Sequence, residues 1–84
     1  MEIPDPKAKR GETVIVHNYR SKPKDGSELW EEGVVRFLAY ECRYGSDFYW
    51  TYEIALKRRS IKGNIIFLYV GDDKIAARRG EEEP

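Results

Sequence analysis

An all-β fold, closing as a small barrel of four to five antiparallel strands with short extended termini, is predicted from three observations. Residues 48–56 alternate without a fault, with Phe48, Trp50, Tyr52, Ile54 and Leu56 on one side and Tyr49, Thr51, Glu53 and Ala55 on the other; this is the period of a half-buried strand. Residues 30–43 form a second extended run, and the Tyr44-Gly45-Ser46-Asp47 turn between the two makes them a hairpin. No apolar spacing near 3.6 lasts longer than one turn, so helices are not expected.

The first strand is expected at residues 13–19, where Val14 and Val16 alternate with Thr13, Ile15 and His17. A polar stretch, 20–27, follows it, and its Pro23 and Asp25-Gly26 are turn chemistry. The second strand, 30–43, changes phase along its length. Val35, Phe37 and Ala39 share a side with Glu41 and Arg43, while Leu38, Tyr40 and Cys42 share one with Arg36. A bulge near residues 38–40 would account for the change. Residues 57–64 close the third strand and turn through Gly63-Asn64 into a fourth, 65–70, apolar on both faces. A turn at 71–75, helical for one turn at most, leads to a short last strand around Ile75 and Ala76. The expected core is Val14, Val16, Val35, Phe37, Trp50, Tyr52, Ile54, Leu56, Ile66, Leu68, Val70 and Ile75.

Eighty-four residues suffice for one domain. Residues 1–9, with Pro4 and Pro6, read as an extended arm, 10–76 as the barrel, and 77–84 as a charged tail. At 40% hydrophobic and 13% aromatic the chain has enough apolar bulk for a small core, which argues against disorder. Cys42 is the sole cysteine, so no internal disulfide forms, which suits a reducing cytoplasm. The opening residues lack a basic region followed by an apolar run, so no secretory signal is expected. The longest apolar run, 65–70, is too short for a membrane helix.

Several residues together resemble the SH3-like barrels, particularly their Tudor and KOW-type branches. They are Arg10-Gly11-Glu12-Thr13-Val14-Ile15-Val16 in the opening strand, Trp30-Glu31-Glu32-Gly33-Val34-Val35 in the second, Tyr52-Glu53-Ile54 in the third, and Asp73-Lys74-Ile75 at the close. The resemblance spans about residues 10–76 and implies a barrel. It does not imply one function, because such barrels host many. The second strand and the 20–27 loop are longer than the pattern, and no Pro-rich-peptide signature is present.

The expected function is docking rather than chemistry. His17 and Cys42 lie on separate strands without a partner at a recognisable spacing, and no nucleophile-elbow or phosphate-loop motif occurs. His17 reads as a strand-surface residue and Cys42 as a small buried hydrophobe. With one His and one Cys, no metal site is expected, and no cofactor. A protein or peptide partner is expected at the aromatics flanking the hairpin turn, Tyr40, Tyr44, Phe48 and Tyr49. These residues, with Asp47 or Glu41, would also suit an aromatic cage for a methylated Lys or Arg, as the Tudor resemblance implies.

Fifteen bases balance fifteen acids, but not evenly along the chain. Residues 26–53 hold six acids against two bases, and 54–79 seven bases against two acids. A nucleic-acid surface is the alternative reading, with Lys57, Arg58, Arg59 and Lys62 joined by Arg20, Lys22 and Lys24. The β-rich segment 65–70 offers an edge for homodimer pairing.

Overall fold

The computed structural model describes residues 3–43, 45 and 47–78. The described chain is all β apart from one 3-10 turn: β1 Thr13–His17, β2 Trp30–Arg43, β3 Asp47–Arg59, β4 Ile65–Gly71, the 3-10 turn Asp72–Lys74, and β5 Ile75–Arg78. All five strands join one antiparallel sheet in the order β4-β3-β2-β1-β5. β1 is buried in strict alternation, with Val14 and Val16 inward. The turn into β4 is closed by Gly63 N–H on the Ser60 carbonyl at 2.8 Å, and Gly63 has φ +84°, a conformation that only glycine adopts without strain.

The two central strands are shared. β2 pairs with β1 through residues 30–34 and with β3 from Gly33 to Arg43; β3 pairs with β2 up to Leu56 and with β4 from Thr51. The change of phase in β2 comes from a bulge, as its pattern requires, but the bulge sits at Arg36, between Val35 and Phe37, rather than at residues 38–40. One extra residue there turns Phe37 outward, where it is 61% exposed, and brings Leu38 inward against the core. Phe37 is therefore not a core residue. Cys42 is also exposed, its thiol donating to the Gly45 carbonyl, because it lies beyond the part of β2 that other strands cover.

The core is Val14, Val16, Val35, Tyr52, Ile54, Leu56, Leu68, Val70 and Ile75, with Ala8 of the arm fully buried among them. Trp50 and Ile66, expected inside, are only partly buried and pack on its rim. The buried phenol of Tyr52 has partners: it donates to the Asp72 carboxylate and accepts the Lys7 main-chain N–H at 2.9 Å. Lys7 also donates its ammonium to the Asp72 and Ile75 carbonyls, which ties the arm to the 3-10 turn. Gly33 is in β2 because β3 crosses it closely: a Cβ there would run into Ile54 Cγ2 and lie 3.1 Å from the Ala55 carbonyl oxygen.

Candidate protein-docking site

Past Val35 on one side and Thr51 on the other, β2 and β3 pair, among the described residues, with no strand but each other, so residues 40–43 and 47–50 form a two-stranded ribbon that leaves the body of the barrel. Such a ribbon is marginal in water unless its cross-strand pairs hold it. Here they are aromatic. On the inner side, continuous with the core, Tyr40 is paired with Trp50 and Cys42 with Phe48. The Tyr40 ring lies 5.3 Å from that of Trp50 and stacks on Phe48 at 5.6 Å and 26°. Phe48 ends this ladder 57% exposed. Its inward phase is the one read from the alternation, but among the described residues no strand lies over it, so position on the sheet and not phase sets its exposure.

The arm reaches the near end of the ladder. The Trp50 indole N–H donates to the Pro4 carbonyl at 2.7 Å, an extended segment thus being held by a main-chain hydrogen bond beside aromatic rings. Of the four aromatics expected to meet a partner, Tyr40 and Phe48 stand together here, Tyr49 points to the opposite face, and Tyr44 lies outside the described residues. Strand alternation alone separates Tyr49 from its sequence neighbour Phe48. Sequence reasoning placed Trp50 wholly in the core and so overlooked its exposed N–H.

The outer face of β2, β3 and β4 carries a different surface. Phe37, Glu53 and Tyr69 form one row across the three strands, Ala39, Thr51 and Gly71 the next, and Glu41 and Tyr49 a third. Thr51 and Gly71 of the small middle row floor a trough of about 510 Å³ between larger rows, with Asp73 at its end. The Tyr69 hydroxyl donates to Glu53 at 2.8 Å, and that carboxylate raises the phenol above its ordinary pKa. The Thr51 hydroxyl meets Glu41 across the floor. Phe37, expected in the core, and Tyr69, a candidate base stacker for the nucleic-acid reading, are the most exposed aromatics of this face; the bulge at Arg36 is what turns Phe37 onto it.

The seven basic residues considered for nucleic acid do not form one cluster. β3 continues to Arg59, so residues 57–59 alternate across the sheet instead of fanning out from a turn. Lys57 and Arg59 line an outer cleft of about 360 Å³ with Arg36, and Lys57 lies 4.0 Å from Glu32. Arg58 points the other way and grips Glu31 at two points, 2.6 and 3.0 Å, with the buried Asn18 amide donating to the same carboxylate at 2.8 Å. These bonds, that of Arg58 first, hold the Glu31 carboxyl below its usual range. Arg20 donates to the Phe67 carbonyl at 3.4 Å, while Lys22, Lys24 and Lys62 are exposed in loops.

Among the described residues no three His, Cys, Asp or Glu side chains gather as a metal site, and no helix is long and apolar enough to cross a membrane. His17 is half-buried against Trp30, with ring centroids 5.2 Å apart. Compared with known proteins, the chain matches no family model, no curated protein and no solved structure.

Proposed function

We propose that the chain is a non-catalytic docking module that holds an extended segment of a protein partner along the inner side of the β2–β3 ribbon. The observation that carries this reading is the Trp50 N–H on the Pro4 carbonyl: beside the stacked Tyr40 and Phe48, the ribbon already holds one extended segment in cis. Rigid aromatic rings with one main-chain donor supply area and register together, which is how aromatic-lined grooves bind extended peptides. The strand order and the Arg10-Gly11 turn that leads into β1 support a likeness of the barrel to the SH3-like folds, one that bears on architecture and not on the partner. The cytoplasm remains the proposed compartment, on the strength of the single unpaired cysteine.

Selection from a displayed peptide library against the full chain tests the proposal. Peptides that bind should lose about tenfold or more in affinity with Tyr40→Ala or Phe48→Ala, and should be indifferent to Lys62→Ala. Selected peptides that ignore both aromatic substitutions would overturn it. Short DNA and RNA titrated at two salt concentrations give the competing reading its chance. A steep salt slope, about 0.9 per duplex phosphate neutralised, that is reduced by Lys62→Ala would favour nucleic acid instead.

A further inference from the structure

The outer face divides into two halves of opposite charge. Along β3, Glu53 lies on one side of Ala55, and Lys57 and Arg59 on the other. Glu41 extends the acidic half into the trough, at whose end Asp73 is paired with Lys74 at 3.4 Å; Arg36 joins Lys57 and Arg59 at the cleft, where these three bases outnumber Glu32, 4.0 Å from Lys57. The acidic half also raises two exposed aromatic knobs, Phe37 at 61% and Tyr69 at 64% exposure. The basic half holds the matching hollow, floored by Val34, Ala55, Leu56 and Ile65. Knobs and hollow, acids and bases, lie on opposite sides of one point on the same three strands.

We infer that this face is a homodimer interface, two copies packing outer face to outer face about a two-fold axis that passes near Ala55. An isologous contact brings each patch of one copy against its complement on the other. With the axis across the strands, a position on β3 two residues before Ala55 meets one two residues after it, so Glu53 comes over Lys57 and the region of Glu41 and Thr51 over Arg59. The same rotation lowers Phe37 and Tyr69 into the apolar cleft of the partner. Both complementarities are satisfied twice by one operation, whereas a partner of single charge would satisfy one half and be repelled by the other. This contact differs from strand addition at the edge of β4, which would use main-chain groups and leave the charged rows unpaired. It also leaves the inner side of the ribbon uncovered, so it stands or falls independently of peptide docking there.

Sedimentation equilibrium of the full chain across a concentration range reaching about 1 mM, at low and high salt, reads the association directly. A monomer–dimer equilibrium weakened by salt is expected. Glu53→Lys alone and Lys57→Glu alone should each weaken the dimer by about tenfold or more, because like charges then face one another. An equimolar mixture of the two single variants should associate again, each reversed end meeting its complement, and so should the double variant. Circular dichroism establishes that each variant is folded; where a reversal is not, Glu53→Gln and Lys57→Gln replace the pair and each should weaken the dimer to a smaller degree. A strict monomer at low salt overturns the inference. So does a dimer that ignores both substitutions, which points to edge pairing, or one that the mixture fails to restore.

Discussion

The hydroxyl of Tyr52 is bonded to the carboxylate of Asp72, joining the middle of β3 to the 3-10 turn that precedes β5. Burial first, and then this carboxylate, raise the phenol above the range of an ordinary tyrosine. Because the folded-state value is the higher one, the folded protein keeps its proton where the unfolded chain has lost it. The associated stability is complete below the unfolded phenol pKa of about 10 and is lost as the pH rises beyond that towards the folded value. Tyr52→Phe should cost about 1–3 kcal/mol at neutral pH, from the unpaired buried groups left behind. The gap in melting temperature between wild type and Tyr52→Phe should then shrink above about pH 10. A gap that does not change with pH would show that the phenol is not so held.

Core truncations should rank by position on the sheet. Ile54→Ala, at a fully buried position, is expected to cost about 2–5 kcal/mol. Phe37→Ala should change stability by no more than about 0.5 kcal/mol although it removes a larger side chain, because the ring is mostly in water. Urea unfolding of the two variants decides this, and a large loss for Phe37→Ala would place the bulge elsewhere.

Gly33→Ala should destabilise by about 1–3 kcal/mol, since the added methyl meets the packed Ile54 side chain and the Ala55 main chain. The backbone at Gly33 has no positive φ, so the loss is one of space and not of conformation. Combining it with Ile54→Ala, which removes the Cγ2 methyl, should cost less than the sum of the two single losses, and unfolding curves of the single and double variants measure the difference.

Asn18→Ala should cost about 1–3 kcal/mol, because Asn18 is a buried side chain whose amide serves Glu31 and whose oxygen accepts the Arg20 N–H at 3.1 Å. The Glu31 carboxyl is held low by Arg58 first, so its contribution is present above the unfolded carboxyl pKa of about 4.3 and is lost as the pH falls through the lower folded value. Thermal melts of wild type and Glu31→Gln should therefore converge in acid. Parallel curves would remove Glu31 from the acid response.

Cys42 should react stoichiometrically with a thiol reagent in the native state, and its rate should not change when denaturant is added below the unfolding midpoint. Labelling that waits for unfolding would mean the ribbon is covered.

Strand positions were legible because they depend on local pattern: the alternation at 48–56, the turn chemistry at Gly63-Asn64 and the helical turn at 72–74 each involve neighbours in sequence. The phase change of β2 was legible too, as a bulge of unknown place. Its location at Arg36 was not, since only pairing with Ile54 and Glu53 of β3 selects which residue is left over. On that one residue depends whether Phe37 is core or surface.

By itself, then, the sequence determined an all-β antiparallel class of four to five strands, the extent of β2 and the inward residues of β1, because side-chain alternation and turn residues act over a few positions. Tertiary structure decided what covers each face. It left Phe48 and Cys42 exposed on the ribbon, buried Ala8 of the arm in the core, and bound Arg58 to Glu31 on the face opposite that of Lys57 and Arg59. Exposure is set by which distant strand or segment lies overhead, and a pattern with a period of two residues says which side a residue takes, never whether anything packs against that side.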